Sequence, residues 1–251
     1  MSKFYDWLAL QLSGPDCPFL NYGYVNPHLP EPTDGDPHVT LLTTVLDGAQ
    51  LDGRKILEVG CGRGGSCMWI DANHRADVLI GVDRSVPNLV SSKDRAHEGF
   101  CGFFCGCDAH ELPFGNEVFD VVLNIESSHC YRNLHAFVAE VVRVLKPGGM
   151  LCWADLWGLE ELGLDWERRH RALHHDRLSV IRDEDLSEGV FRALKSPSSL
   201  PDKLREAVGP DSSRQIEPIV RNIETIRLHL AAAHCDYRLM QLEKTQPGRL
   251  T

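Results

Sequence analysis

The stretch Lys55-Ile56-Leu57-Glu58-Val59-Gly60-Cys61-Gly62-Arg63-Gly64-Gly65 decides the fold of this chain. Apolar residues run into closely spaced glycines, the pattern of a buried parallel strand turning sharply into a helix N-terminus. Glycine there lets the backbone approach a ligand where a Cβ would clash. Gly60, Gly62 and Gly65 spell G-x-G-x-x-G, a turn that seats a pyrophosphate on a helix dipole. Glu58 argues against that ligand, because a carboxylate two residues before the first glycine repels a diphosphate and suits a cation.

Downstream, Ala76-Asp77-Val78-Leu79-Ile80-Gly81-Val82-Asp83 reads as a second strand ending in an acid. An acid at this spacing hydrogen-bonds both ribose hydroxyls of a bound nucleoside. Asp83 therefore signals a nucleoside without saying which one. Glu58 makes the choice, towards the sulfonium and ammonium of S-adenosylmethionine and away from a dinucleotide. Ser85 and Pro87 open the next helix.

From residue 37 to about 156, apolar runs alternate with helical patterns, which predicts βαβ units and a parallel sheet. Strands are expected at 54–60, 77–82, 102–107, 118–125 and 149–156, with helices starting near His38, Gly64, Ser85 and Leu134. In the last of these helices Phe137, Val138, Val141, Val142 and Leu145 fall at helical spacing, and Lys146-Pro147-Gly148-Gly149 stops it. Further on, Trp166–Asp176, Leu186–Lys195, Leu200–Val208 and Glu217–His234 read as helices, Ser179-Val180-Ile181 as a short strand and Tyr237–Glu243 as a final edge strand. The expected fold class is α/β, a doubly wound and mostly parallel sheet, with a helical lid and an antiparallel last strand. Residues 1–36 are proline-rich beyond the first dozen and read as a lid, since Phe19, Leu20, Tyr22 and Tyr24 need burial. Residues 37–251 form the main domain, with a substrate-covering helical insertion at about 183–235.

The formal net charge is −10, which disfavours nucleic acid as a partner, because phosphate binding needs clustered Lys and Arg. Met1-Ser2-Lys3-Phe4-Tyr5-Asp6-Trp7 lacks the apolar core of a signal peptide, and no run approaches a membrane span; the expected compartment is the cytoplasm. The nine cysteines are scattered and read as reduced thiols, mostly small hydrophobes in strands. Cys101, Cys105 and Cys107 lack the spacing of a zinc site, so no metal is expected. His170, His174 and His175 share a segment with Arg168, Arg169, Arg171 and Arg177, which reads as a solvated basic face, with capture of an acidic acceptor as the alternative.

The chain resembles the class I S-adenosylmethionine-dependent methyltransferases over residues 54–156. Ile56 to Gly64 looks like their first motif, and Asp83 matches their ribose acid. Asp108-Ala109 with Leu112-Pro113-Phe114 looks like their adenine segment, Phe119-Asp120-Val121-Val122 like their fourth strand, and Leu145-Lys146-Pro147-Gly148-Gly149 like the turn into the fifth. Asn124-Ile125-Glu126-Ser127-Ser128-His129-Cys130-Tyr131 narrows the resemblance to small-molecule O-methyltransferases of bacterial secondary metabolism, including the sugar, phthiotriolone and fatty-acid groups. The resemblance implies S-adenosylmethionine as cofactor, held by Glu58, Gly60, Cys61, Gly62, Gly64, Asp83, Arg84, Asp108, Ala109 and Asn124. It also implies a small, partly apolar acceptor, with Tyr22, Tyr24 and Tyr131 as its contacts.

A hydroxyl acceptor must lose a proton, and histidine is the natural base near neutral pH. His129 follows the fourth strand and Asp155 ends the fifth, at the sheet edge where such folds place their sites. In the sugar O-methyltransferases the corresponding His and Asp are thought to pair; their second adjacent histidine is Cys130 here. Transfer to nitrogen or carbon, a non-catalytic cofactor-binding protein and a dinucleotide oxidoreductase are the alternatives. The oligomeric state is open, with a homodimer among the options.

Overall fold

A seven-stranded sheet organises the protein, and the strand sequences explain its layering. The structure, a computed structural model, describes residues 2–12, 17–29, 35–158, 166–208 and 213–246. Its strands are β1 (Lys55–Val59), β2 (Val78–Asp83), β3 (Phe103–Gly106), β4 (Phe119–Ile125), β5 (Leu145–Trp157), β6 (Leu178–Asp185) and β7 (Asp236–Lys244). The order across the sheet is β3-β2-β1-β4-β5-β7-β6. The first five strands pair in parallel, and β7 runs antiparallel to both β5 and β6. This is the Rossmann-like, doubly wound arrangement, and it turns back on itself between β1 and β4, where such sheets open a crevice.

Successive residues of each strand face opposite sides. Ile56, Val121, Leu123, Cys152 and Leu239 enter one apolar layer, while Leu57, Val122, Leu151, Trp153 and Met240 enter the other. The first layer is closed by α2 (Pro37–Leu46), α3 (Gly65–Asn73), α4 (Val86–Arg95) and three helices between β6 and β7, namely α7 (Ser187–Ala193), α8 (Leu200–Ala207) and α9 (Ser213–Ala231). The second is closed by α5 (Leu134–Val144) and α6 (Trp166–Leu173). On α5 the buried stripe Phe137, Val138, Val141 and Val142 is the one expected from its spacing. The N-terminal helix α1 (Ser2–Gln11) packs against α4.

Three expectations need correction. The strand 237–243 is not at the edge: β7 lies between β5 and β6, and most of its residues are buried. The edge belongs to β6, which is longer than the 179–181 expected. Its second half, Arg182-Asp183-Glu184-Asp185, is charged because an edge strand blunts itself against unwanted pairing, and that charge hides it from a hydrophobicity reading. The helix expected to end near Lys146 ends at Val144, and β5 begins at once at Leu145. Lys146 then holds Asp120 at 2.8 Å, fixing the start of β5 to β4. Among the described residues no helix is long and apolar enough to cross a membrane.

The segment 17–29 crosses from α1 towards α2 and rests on α7. Val25 N–H donates to Gly189 O at 3.1 Å, and Tyr24 N–H to Pro37 O at 2.8 Å. A Cβ on Gly189 would stand inside the ring of Tyr24 and 2.7 Å from Val25 O. Overpacking of this kind costs about 1–3 kcal/mol. Gly189→Ala is therefore expected to lower Tm by roughly 3–10 °C, checked by calorimetry; an unchanged Tm would contradict this docking of the segment.

Candidate active site

The glycine turn after β1 is pressed against the end of β4. Gly60 has φ 78°, and a Cβ there would collide with Ser127 and come 3.2 Å from the Tyr131 hydroxyl. Gly60 N–H and Cys61 N–H both donate to Val82 O, at 2.8 and 2.9 Å, and Gly62 N–H donates to Asp83 Oδ2 at 2.9 Å. The turn is thus fixed to β2 on one side and β4 on the other. Arg63, from the same turn, is buried, and its guanidinium donates to the carbonyls of Cys17 (2.9 Å), Leu12 (3.1 Å) and Ala9 (3.4 Å). It thereby ties α1 and the segment after it to the loop.

The end of β4 carries the acid and base groups. Glu126 has φ 46°, unusual for a residue with a side chain. Its carboxylate accepts Tyr22 N–H at 2.9 and 3.1 Å and the Tyr237 hydroxyl at 2.9 Å. A one-turn 3₁₀ helix, Ser128–Cys130, follows and presents His129. His129 Nδ1 lies 2.8 Å from Asp155 Oδ1, and its own N–H donates to Oδ2 at 2.8 Å. Ser128 Oγ donates to the same carboxylate at 2.5 Å, and Trp153 Nε1 supports Ser128 at 3.0 Å. Asp155 is wholly buried, so its charge acts chiefly on the imidazole and its immediate neighbours.

A cavity of 310 Å³ runs along this edge. Of the residues expected at the cofactor, Glu58, Gly60, Cys61, Gly62, Asp83, Arg84, Asp108 and Ala109 line it. Gly64 and Asn124 do not. Gly64 begins α3, and a Cβ there would stand 2.8 Å from the Phe104 ring, so it is a packing glycine. Asn124 is buried behind the wall, donating to Val59 O at 2.8 Å and reaching Ser127 Oγ and the Tyr131 hydroxyl. Tyr22 and Tyr131 line the cavity, whereas Tyr24 packs on Gly189 and does not. His129 is on the wall with Asp155 behind it. The wall contributed by α1, its following segment, α8 and α9 carries the apolar Leu8, Leu20, Leu200, Leu204, Ile219 and Ile223, with Asn21 and Asn222 among them. His110 was missed by the sequence reading; it lines the cavity with Nδ1 2.5 Å from Asp108 Oδ1. His170 and His174 stack on each other beside Trp157, outside the cavity, and Arg171 is exposed; the side chains of Arg168 and Arg169 fall outside the described residues.

Burial governs the charges. It pushes the Glu58 carboxyl up to about 7, against hydrogen bonds from Cys67 (Sγ at 3.0 Å) and Ser66. It likewise pushes Glu126 up to about 8, against its bonds from Tyr22 and Tyr237. For His129 burial works against the charged ring, but the Asp155 charge and hydrogen bond outweigh it and hold the imidazole well above its usual value. The half of the cavity around the turn is therefore acidic. Arg63, from the turn itself, is committed to carbonyls, and Arg84 lies 3.8 Å from Asp108, which suits a cationic nucleoside better than a diphosphate. The wall also fits a nucleoside sterically. Gly62 turns an open face, its nearest neighbour Leu20 Cδ1 lying 3.9 Å from where a Cβ would stand.

Comparison with known proteins agrees with this geometry. A family model described as a methyltransferase domain matches residues 57–153. The chain is 33% identical over 201 residues to the phthiotriol/phenolphthiotriol dimycocerosates methyltransferase of Mycobacterium leprae, covering 78% of this chain and 73% of that one. It is 30% identical over 237 residues to the fatty-acid O-methyltransferase of Mycolicibacterium smegmatis, covering 89% and 83%. Among solved structures, the cyclase SpnF superposes with TM-score 0.78 at 20% identity, covering 97% of this chain and 95% of that one. The geranyl diphosphate C-methyltransferase of Streptomyces coelicolor superposes with TM-score 0.73 at 16% identity, covering 97% of each. These structures share the fold; a cyclase and a methyltransferase on one scaffold show that the site must decide the reaction.

Glu58 generates a pH prediction. The ionised carboxylate binds a cation and the protonated form does not, so affinity for S-adenosylmethionine rises as pH increases through about 7 and levels off above it. Isothermal titration across this range checks it. Glu58→Gln should bind several-fold more weakly and lose the pH dependence; a flat wild-type profile would contradict the assignment.

Proposed function

The chain belongs to the class I S-adenosylmethionine-dependent methyltransferases, and from that premise we propose that it methylates a hydroxyl oxygen of a small, largely apolar acceptor, with His129 as general base. The observation that carries the proposal is the 2.8 Å contact between His129 Nδ1 and a wholly buried Asp155, with the imidazole on the cavity wall. Bound S-adenosylmethionine supplies an electrophilic methyl group on a sulfonium. Asp155 accepts Nδ1–H, which leaves Nε2 as the acceptor for a proton from the substrate hydroxyl. Much of the remaining acceleration comes from holding the reactants in line and excluding water. Residues 2–12 and 17–29 act as the lid, held by Arg63 and Glu126. The apolar wall from α8 and α9 receives the acceptor's hydrocarbon part. A lipid-like acceptor agrees with the relatives named for phthiotriol dimycocerosates and fatty acids.

A second reading has its own support. The Asp155 charge and hydrogen bond favour the charged form of His129 and raise its pKa. An imidazolium suits a carboxylate acceptor, which is already ionised and needs no base. The two readings predict opposite pH profiles. A hydroxyl acceptor requires neutral His129, so kcat/KM rises with pH, about tenfold per unit, until pH passes the His129 pKa. A carboxylate acceptor requires the charged ring, so the rate is level below that pKa and falls as pH rises through it.

For the hydroxyl reading, His129→Ala should lower kcat by about 10²–10⁴-fold while donor affinity is retained. Asp155→Asn should lose activity comparably by reversing the tautomer. Steady-state kinetics on a long-chain alcohol, with S-adenosylhomocysteine binding as control, checks both. Unchanged turnover in His129→Ala would end the proposal.

A further inference from the structure

The lid and the acceptor wall meet on one buried side chain that the mechanism leaves unused. His38 lies in the first turn of α2 and is wholly buried. Its Nδ1 lies 2.7 Å from Asn21 O and 3.0 Å from Asn21 Oδ1, and Asn21 Nδ2 donates to His38 O at 3.4 Å. The Phe19 ring lies nearly parallel to the imidazole, with centroids 6.4 Å apart. The other ring nitrogen, Nε2, lies 3.3 Å from Ser198 O, in the turn that leads into α8. Phe19 and Asn21 line the catalytic cavity from the lid, and Leu200 and Leu204 line it from α8. The ring therefore stands at the joint between two parts of the cover.

A carbonyl oxygen only accepts, so each ring nitrogen needs a hydrogen to bond its partner. Neutral imidazole has one, and the shorter contact places it on Nδ1, donating to Asn21 O. Nε2 then meets Ser198 O lone pair to lone pair. A second proton would close that contact. Burial and the charge of Lys203 on α8 oppose it, and they outweigh Asp36 and the two carbonyls, holding the ring below the usual histidine value. Lys203 Nζ is itself 2.8 Å from Asp36, which caps α2. The lid meets the ring with the uncharged Asn21 and Phe19. A ring that resists a proton when enclosed accepts one more readily in water, so acid favours the state in which this joint is open.

We propose that neutral His38 is a positioning residue, the latch that holds lid residues 17–29 against the acceptor wall, and that proton uptake at its ring releases them. The inference rests on the reading of these residues as a lid, and on neither the acceptor nor the base. Hydrogen exchange read by mass spectrometry at pH 7 and pH 5, corrected for intrinsic rates, tests it on the unliganded protein. Across this interval Glu126, raised to about 8 by burial, is already mostly protonated. Asp36, which Lys203 holds low against burial, stays ionised. The expected result is that peptide 17–29 exchanges about tenfold faster at pH 5, the effect of one linked proton over one pH unit, while β4 keeps its protection. His38→Asn keeps a donor for Asn21 O without a titrating ring, and its peptide should exchange alike at both pH values. Equal exchange at both values in the wild type, or the same acid response in His38→Asn, would overturn the proposal. Should His38→Asn fail to fold, Lys203→Met removes a charge that opposes the proton and should shrink the acid response; an undiminished response overturns the proposal too. Failure of the lid reading shows separately: saturating S-adenosylhomocysteine would then leave exchange of 17–29 unchanged in the wild type at pH 7.

Discussion

The structure depends on how closely the ends of β1 and β4 approach. At Gly60 no Cβ fits against Ser127, and Asn124 ties the two strand ends together through Val59 O. Because the sheet order reverses between these strands, their following segments leave in different directions and a crevice opens over the join. Each segment carries a group that reaches back across it. Arg63 takes the carbonyls of α1 and Cys17, and Glu126 takes the backbone of Tyr22. The cover over the cavity is therefore fastened to the two elements that form its floor. A shift in one strand end would loosen the cover as well as the turn.

The cavity concentrates acids where water is excluded. Glu58, Asp83 and Glu126 are all raised by burial, so each costs stability when ionised. Their contribution to folding is complete below the ordinary carboxylate range and is lost as pH rises through the raised values, about 7 for Glu58 and about 8 for Glu126. A cationic ligand relieves the same cost for Glu58. His129 is the opposite case: Asp155 favours its charged form, and in the proposed mechanism that sets the pH above which a base is present.

Much of this was legible in the sequence, for physical reasons that differ by residue. The strands β1 and β4 are mostly apolar because both of their faces are buried, and glycine is needed at Gly60 for want of space. The pairing of His129 with Asp155 followed from their places at two adjacent strand ends. What failed was whatever depended on tertiary contacts. Arg182 to Asp185, beyond the short strand expected at 179–181, proved to be part of an edge strand. Tyr24 looked like a substrate contact because apolar loop residues need cover, but α7 provides that cover through Gly189. Asn124 shares the motif of its neighbours yet faces the strand joint. Arg63 and Glu126 act through backbone carbonyls and a strained turn, neither of which has a sequence signature.

The central claim is that this cavity brings a sulfonium methyl and an oxygen nucleophile together beside His129. It is tested most directly by incubating the protein with S-adenosylmethionine carrying a trideuterated methyl group and a long-chain acceptor that bears a hydroxyl, then locating the label by tandem mass spectrometry. The account predicts one trideuteromethyl group on the acceptor oxygen, with S-adenosylhomocysteine formed in equal amount. Label on carbon or nitrogen, or tight donor binding without transfer to any oxygen, would contradict it.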